Sequence, residues 1–591
     1  MRSGTSCFNS TVFRKQMTRF WPIWAGWLLI LLLALPLQGF MALQRDAQGM
    51  RDQLEQFAQS QVLYLCNNSG YMTALAVLVG LLAAMAACSH LYSTRSANFM
   101  GALPVRREGL FLSHYLAGLV MVLGPVLIAF GLTVLVELAG DCLMLDYLGY
   151  WLGYTCAAGF FFYSFAVFLG MFTGHLLALP AFYLIFNVLA LAVVGMLEWV
   201  LESFYYGFGS LPAWVHRAVT WLTPVWGFSS VWIDRTAMAV ENGSALWAYP
   251  LVALVLAVAA LLLYRRRNLE SAGDVVAVRV MRPVFKYGVA FCAGMFLGMA
   301  TAQMLGLAEP GLMIAIFLWG VTGYFVAQML LDKSFRVWRR WKGAVGVAVV
   351  FAALFALVGF DLTGFETRVP RTDAVASVSV QGLSGQPWDS GSEVGATLED
   401  PEQIAAVIAL HQAIVDRRPT GTQRGGDSAS GNSGVTSFQV SYRLEDGSIL
   451  SRSYRSVSLD QELLTLAGTV RNDPDVIYQS YGFDEVERRR GVLTTTIWEN
   501  GPDTSDAYGQ QAEKLLEAVL EDIGQGRLGQ RVVGGADTPG YEEYRSIQFE
   551  WRWRTDQGQA EYEYYFMELI LPDTATSTLA VLEELSAGAK S

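Results

Sequence analysis

Residues 111–136 read FLSHYLAGLVMVLGPVLIAFGLTVLV. These 26 residues include no Asp, Glu, Lys or Arg. A helix rises 1.5 Å per residue, so about 20 apolar residues cross a hydrocarbon layer about 30 Å thick. The run is long enough to span, and charge sits at both edges: Arg106, Arg107 and Glu108 before it, Glu137 after it. Working outward, residues 21–43, 71–92, 150–173, 176–197, 246–264, 287–307, 311–331 and 343–360 read the same way. Nine membrane-spanning helices are therefore expected in a polytopic bundle.

Lys and Arg in short connections face the cytoplasm. One set of connections carries Arg2, Arg14, Lys15 and Arg19, then Arg95, Arg106 and Arg107, then Arg265, Arg266, Arg267, Arg279, Arg282 and Lys286, then Lys333, Arg336, Arg339, Arg340 and Lys342. The alternating set carries only Arg45, Arg51, Arg217 and Arg235 among many acids. The N-terminus is expected inside, in the plasma membrane, with the first span a retained signal anchor. An odd number of spans then puts the C-terminal portion outside.

Charge divides the chain in two. Residues 1–360 hold 22 Lys/Arg against 15 Asp/Glu; residues 361–591 hold 19 against 37. An acidic tail argues against nucleic-acid binding. All six cysteines precede residue 293 and none forms a CxxC pair, so no metal framework is expected. A Cys66–Cys142 bridge is a minor expectation.

Ion-driven carriers need ionisable side chains at membrane depth. No Asp, Glu, Lys or Arg lies in the middle of a span. His90, His114, His175 and Glu137 fall near span ends and read as interfacial residues. Neither G-x-x-x-x-G-K-[ST] nor H-E-x-x-H occurs. The chain is expected to be no enzyme, and any pumping must draw on a partner's nucleotide hydrolysis. The pairs Gly149/Gly153, Gly170/Gly174 and Gly294/Gly298 have GxxxG spacing and read as close helix packing.

Three charged segments remain. Before the first span, FNSTVFRKQMTRF (residues 8–20) puts Phe13 and Phe20 on one helical face with Arg14 and Lys15 available to anionic headgroups. Between the second and third spans runs RSANFMGALPVRREGLFLSHY (95–115), whose apolar residues suit a docking surface. After the sixth span comes YRRRNLESAGD (264–274).

In these three motifs the chain resembles ABC-2-type transporter permeases of Gram-positive (clostridial) bacteria with a long C-terminal extension. The resemblance implies an elbow segment at residues 1–20, a six-helix permease core at 21–267, a three-helix membrane extension at 268–360 and a long C-terminal extension, which the charge bias and the strand and helix patterns make an extracytoplasmic acidic α+β domain at 361–591. It implies that the loop around Asn98, Phe99, Leu103, Pro104, Arg106, Arg107 and Glu108 touches an ABC ATPase subunit. Arg266, Glu270, Ala272 and Gly273 match the motif after span six, without an assigned role. The implied partners are that ATPase, a second permease subunit in a homo- or heterodimer, and membrane lipids. No cofactor is expected on this chain; ATP and Mg belong to the ATPase. The rival reading is a membrane-anchored sensor whose tail binds a ligand outside.

The loop 198–245 is rich in Trp, Tyr and Phe and is expected to form interfacial or re-entrant helices. In the tail, 374–381, 437–443, 546–554 and 560–571 alternate like strands, 401–416 and 510–522 have helical periodicity, and EDGS (445–448) suits a hairpin turn. Residues 420–434 read as a flexible loop, and two similar subdomains are a possible division. NDPD (472–475) reads as a turn rather than a calcium loop, and His411 as structural.

Overall fold

Apolar runs between charged flanks leave backbone groups only one way to be satisfied in lipid, which is to hydrogen-bond within a helix. The computed structural model describes residues 8–47, 53–58, 69–101, 105–233, 240–267, 281–307, 309–359, 361, 364–417, 435–499, 505–507, 509–533, 545–554 and 562–589. Among them, nine helices are long and apolar enough to cross a membrane: Trp21–Arg45, Gly70–Leu91, Arg107–Ala139, Leu145–Phe172, Ala178–Phe204, Ala245–Arg266, Met281–Leu305, Pro310–Asp332 and Trp338–Leu357. Each overlaps the run expected from sequence. That is the architecture of a multi-pass membrane protein carrying a separate sheet-containing region.

The chain divides into two compact units. One comprises Met1–Met196, Pro212–Gln303 and Ile314–Phe351; the other comprises Leu197–Leu211, Met304–Met313 and Ala352–Ser591.

In the first unit the fourth span lies against the second, third and sixth. Trp151, Tyr154, Phe162 and Tyr163 on it are buried. The Tyr154 hydroxyl lies 2.7 Å from Thr73 Oγ1 and donates to the Phe228 carbonyl at 3.2 Å. The seventh and eighth spans approach closely because Gly294 and Gly298 carry no side chain. A Cβ on Gly298 would stand 2.6 Å from Ile316 Cα. Gly149 and Gly153 differ: a Cβ on either meets nothing within 4 Å. The packing expected of that pair is not made within this chain, because that side of the fourth span faces open space.

The second unit contains two four-stranded antiparallel sheets. The first module runs β1 (Val375–Gly382), β2 (Val394–Leu398), α1 (Pro401–Asp416), β3 (Val435–Leu444), β4 (Ile449–Ser458) and α2 (Gln461–Arg471). The second runs β5 (Val492–Glu499), β6 (Ser505–Ala507), α3 (Gln510–Gly524), β7 (Arg545–Arg554), β8 (Tyr562–Leu571) and α4 (Thr576–Ala589). The sheet orders are β2-β1-β3-β4 and β8-β7-β5-β6. Counted within each module, both place the strands second, first, third, fourth, so the topology is duplicated.

Local chemistry explains the pieces. Val378, Val380, Phe438, Val440 and Tyr442 alternate inward on β1 and β3. The EDGS turn joins β3 to β4 with Gly447 at φ +79°. Asp400 caps α1 by accepting from the N–H groups of Glu402 and Gln403. Asp473 caps the helix Pro474–Ser480 in the same way, which makes NDPD a helix start. The outer edge of β2 is covered by the helix Pro474–Ser480: Gln479 accepts from Thr397 N–H at 2.8 Å and donates to Thr397 C=O at 3.0 Å, and Ser480 Oγ accepts from Gly395 N–H at 3.5 Å.

The aromatic loop splits between the units. Helices Ala213–Leu222 and Pro224–Ser229 expose Trp214, Trp221 and Trp226, as an interfacial segment would. Leu197–Leu211 instead belongs to the sheet unit. Tyr206 lies 4.9 Å from Tyr454 between ring centres, Gly207 C=O accepts from Ser453 N–H at 3.1 Å, and Glu366 accepts from Tyr206 N–H at 2.9 Å. Gly207 has φ +83°, and a Cβ there would stand 2.5 Å from the Tyr454 ring. Aromatic content marked this stretch in the sequence, but the same side chains serve a protein core as well as a membrane interface.

Candidate functional site

The N-terminal helix Ser10–Arg19 begins at Asn9, whose side chain accepts from Thr11 and Val12 N–H. Phe13 and Phe20 are half-buried, while Arg14, Lys15 and Arg19 are exposed. Two polar bonds fix the helix. Gln16 Nε2 donates to Ala86 C=O at 2.7 Å, and Asn9 N–H donates to Ser113 Oγ at 2.8 Å. Ser113 in turn donates to Gly109 C=O at 2.7 Å. The amphipathic face expected from sequence thus packs onto the second and third spans through a buried glutamine as well as aromatic rings.

After the second span comes a short helix, Thr94–Gly101, with Asn98 exposed and Phe99 63% exposed. Leu103 and Pro104 lie outside the described residues. Arg106 is exposed at the N-cap of the third span. Glu108 in its first turn complements the positive end of the helix.

The motif after the sixth span meets this start. Arg107 Nη1 donates to the carbonyls of Arg265 and Arg267, each at 3.3 Å. Glu108 pairs with Arg265 at 3.2 Å, half-exposed, a contact worth at most about 1 kcal/mol. Arg267 does more: it donates to the carbonyls of Gly170 at 2.9 Å, Met171 at 3.2 Å and Thr173 at 2.8 Å. These are the orphan carbonyls at the end of the fourth span. Arg266, the arginine singled out from sequence, is exposed. Helical phase carries the missed signal, since Arg267 follows buried Tyr264 by three residues. Glu270, Ala272 and Gly273 lie outside the described residues.

Beneath this cluster His90 and His114 stack, with ring centres 4.2 Å apart at 15°. Both are buried, as is Glu137 at the other end of the third span; only His175 is exposed, as interfacial residues are. The interfacial reading of the first three is thus corrected: helix ends here are covered by neighbouring helices. Cys66 lies outside the described residues. Among the described residues no three His, Cys, Asp or Glu side chains gather as a metal site would require.

The three sequence motifs therefore converge at one end of the bundle. The arrangement is a braced surface, in which a short helix bearing Phe99 is followed by an Arg106–Glu108 segment held against the arginines after the sixth span. No protein-family model matches the chain, and neither a curated protein nor a solved structure matches it.

Proposed function

We propose that the chain is the membrane-spanning permease subunit of an ATP-binding-cassette transporter, exporting a lipid-like, peptide or amphiphilic substrate. A separate ATPase subunit drives it, and a second permease subunit completes the assembly. The observation that carries this reading is the convergence of the N-terminal helix and Arg265–Arg267 on the start of the third span, with the Thr94–Gly101 helix a few residues before it in the chain. A helix with an exposed phenylalanine on such a frame suits the groove of a soluble motor. The apolar spans hold no central charge, which suits a pump powered from outside the bilayer. In this orientation the arginine-rich end is cytoplasmic, and the sheet unit is extracytoplasmic.

The sensor reading draws on a different observation. Leu197–Leu211, continuous with the fifth span, is built into the first sheet module, so a ligand on that module has a mechanical route to a membrane helix.

Co-expression with a candidate ABC ATPase from the same genome separates the two. A permease retains the ATPase through purification, and Phe99→Asp with Arg106→Glu lowers the retained ATPase at least about tenfold, as loss of an interface anchor does. Unchanged retention in the double variant sinks the docking assignment. Absence of any ATPase from the wild-type preparation favours the sensor.

A further inference from the structure

Between the two sheet modules lies a charge cluster that the proposed function does not use. Arg471, the last residue of α2, is fully buried, and Arg531 is 4% exposed. Among the described residues a single carboxylate accompanies them, that of Asp389, itself fully buried.

None of the bonds described for that carboxylate goes to Arg471. Asp389 Oδ2 accepts from Arg531, from the Tyr481 hydroxyl at 2.8 Å and from Ile570 N–H at 3.0 Å; Oδ1 accepts from Gly391 N–H at 2.9 Å. Among the described residues Arg471 bonds only Gly391 C=O, through Nη2. Its Nε and Nη1, and Arg531 Nε, are buried donors without a partner. Two guanidinium charges against one carboxylate leave one positive charge in a region closed to water. The negative end of α2 offsets about half a charge at most. Burial, with Arg531 alongside, pushes the Arg471 guanidinium down to about 10, which still leaves it charged at neutral pH.

An unpaired buried charge is among the costliest features a fold can keep. We infer that the Arg471–Arg531 pair binds a small inorganic anion of the chloride class. It would take the free N–H donors and neutralise the junction. Full burial sets the size limit: a monatomic anion, admitted by local opening, suits the place. The same residues tie the modules together. Gly385–Gln386 pairs with Val532–Val533, and Asp389 bonds both Arg531 and the edge of β8. The anion therefore staples one module to the other.

The test uses the full chain in detergent micelles, with chloride as the probe. Chlorine-35 NMR should show chloride linewidth broadened by the protein and narrowed on titration with bromide. Arg471→Met should abolish the broadening, while Arg371→Met, on an exposed arginine, should retain it. Replacing chloride by gluconate at equal ionic strength should lower the thermal midpoint of the wild-type sheet unit by about 2–4 °C. Broadening that persists in Arg471→Met, or its absence from the wild type, overturns the proposal. So does a wild-type midpoint indifferent to chloride, a readout that stands even if the Arg471 variant does not fold.

Discussion

His411 is the clearest case of a residue whose environment decides its chemistry. It is fully buried on α1, with Nδ1 2.9 Å from the Tyr442 hydroxyl and Nε2 2.9 Å from that of Tyr454. One ring nitrogen donates and the other accepts, so the neutral imidazole is satisfied on both sides. Burial, and then Arg452 nearby, push its pKa down from 6.5 to about 4. The unfolded chain takes up a proton near 6.5, whereas the folded chain does so only near 4. Between those values the unfolded state binds more protons, and stability falls as the pH drops. The loss through this window is about 3 kcal/mol. Replacing His411 by Gln should flatten that stretch of the stability–pH curve, measured by denaturant unfolding at several pH values, whatever it does to stability at pH 7. An unchanged slope would refute the assignment. A lone histidine on a helical face reads as structural from sequence, and that much was legible. Its two tyrosine partners come from strands 31 and 43 residues away, and no local pattern encodes them. Arg267 teaches the same lesson from the other side. The triple arginine was visible as topology-setting charge, but which of the three turns inward depends on the face that Tyr264 buries.

At the scale of elements, periodicity carried the spans and half of the strands in the two large sheets, whereas β2, β4, β5, β6, α2 and α4 were not read from it. Apolar length gave the nine spans, and strict alternation gave β1 and β3, which pair directly from Val375–Leu444 to Gly382–Phe438. Small-residue spacing was less informative, because GxxxG says two backbones can approach and not whether they do. Gly294/Gly298 and Gly149/Gly153 share the spacing and differ in what they meet. Gly298→Leu should therefore force the seventh and eighth spans apart, costing about 1–3 kcal/mol, with a lowered thermal midpoint in detergent. Gly153→Leu should leave the isolated chain within about 0.5 kcal/mol of wild type. A loss at Gly153 in the isolated chain would contradict the open surface described there.

For the whole molecule, the charge asymmetry of the connections is the only argument that orients the bundle, and it predicts a particular labelling pattern. In a cysteine-free background, Asp446→Cys in the exposed EDGS turn should react with an impermeant maleimide on intact cells. Arg336→Cys, between the eighth and ninth spans, should react only after permeabilisation. The reverse pattern would invert the molecule and place the Phe99 surface outside. The duplicated module was less legible. Its second copy shares strand order with the first but not the whole sequence pattern: β1 and β3 display Ser379, Gln381 and Gln439 outward, where β8 displays Tyr564 and Phe566. Topology repeats because the sheet-and-helix layers repeat, and surface composition is free to drift.

The Gln479 amide on Thr397 has a consequence for a protein crowded on a two-dimensional surface. Copies held side by side meet at high local concentration, and a bare strand margin invites the next molecule to add on. By mimicking a peptide unit, Gln479, with Ser480 on the Gly395 N–H, occupies positions where such growth would nucleate.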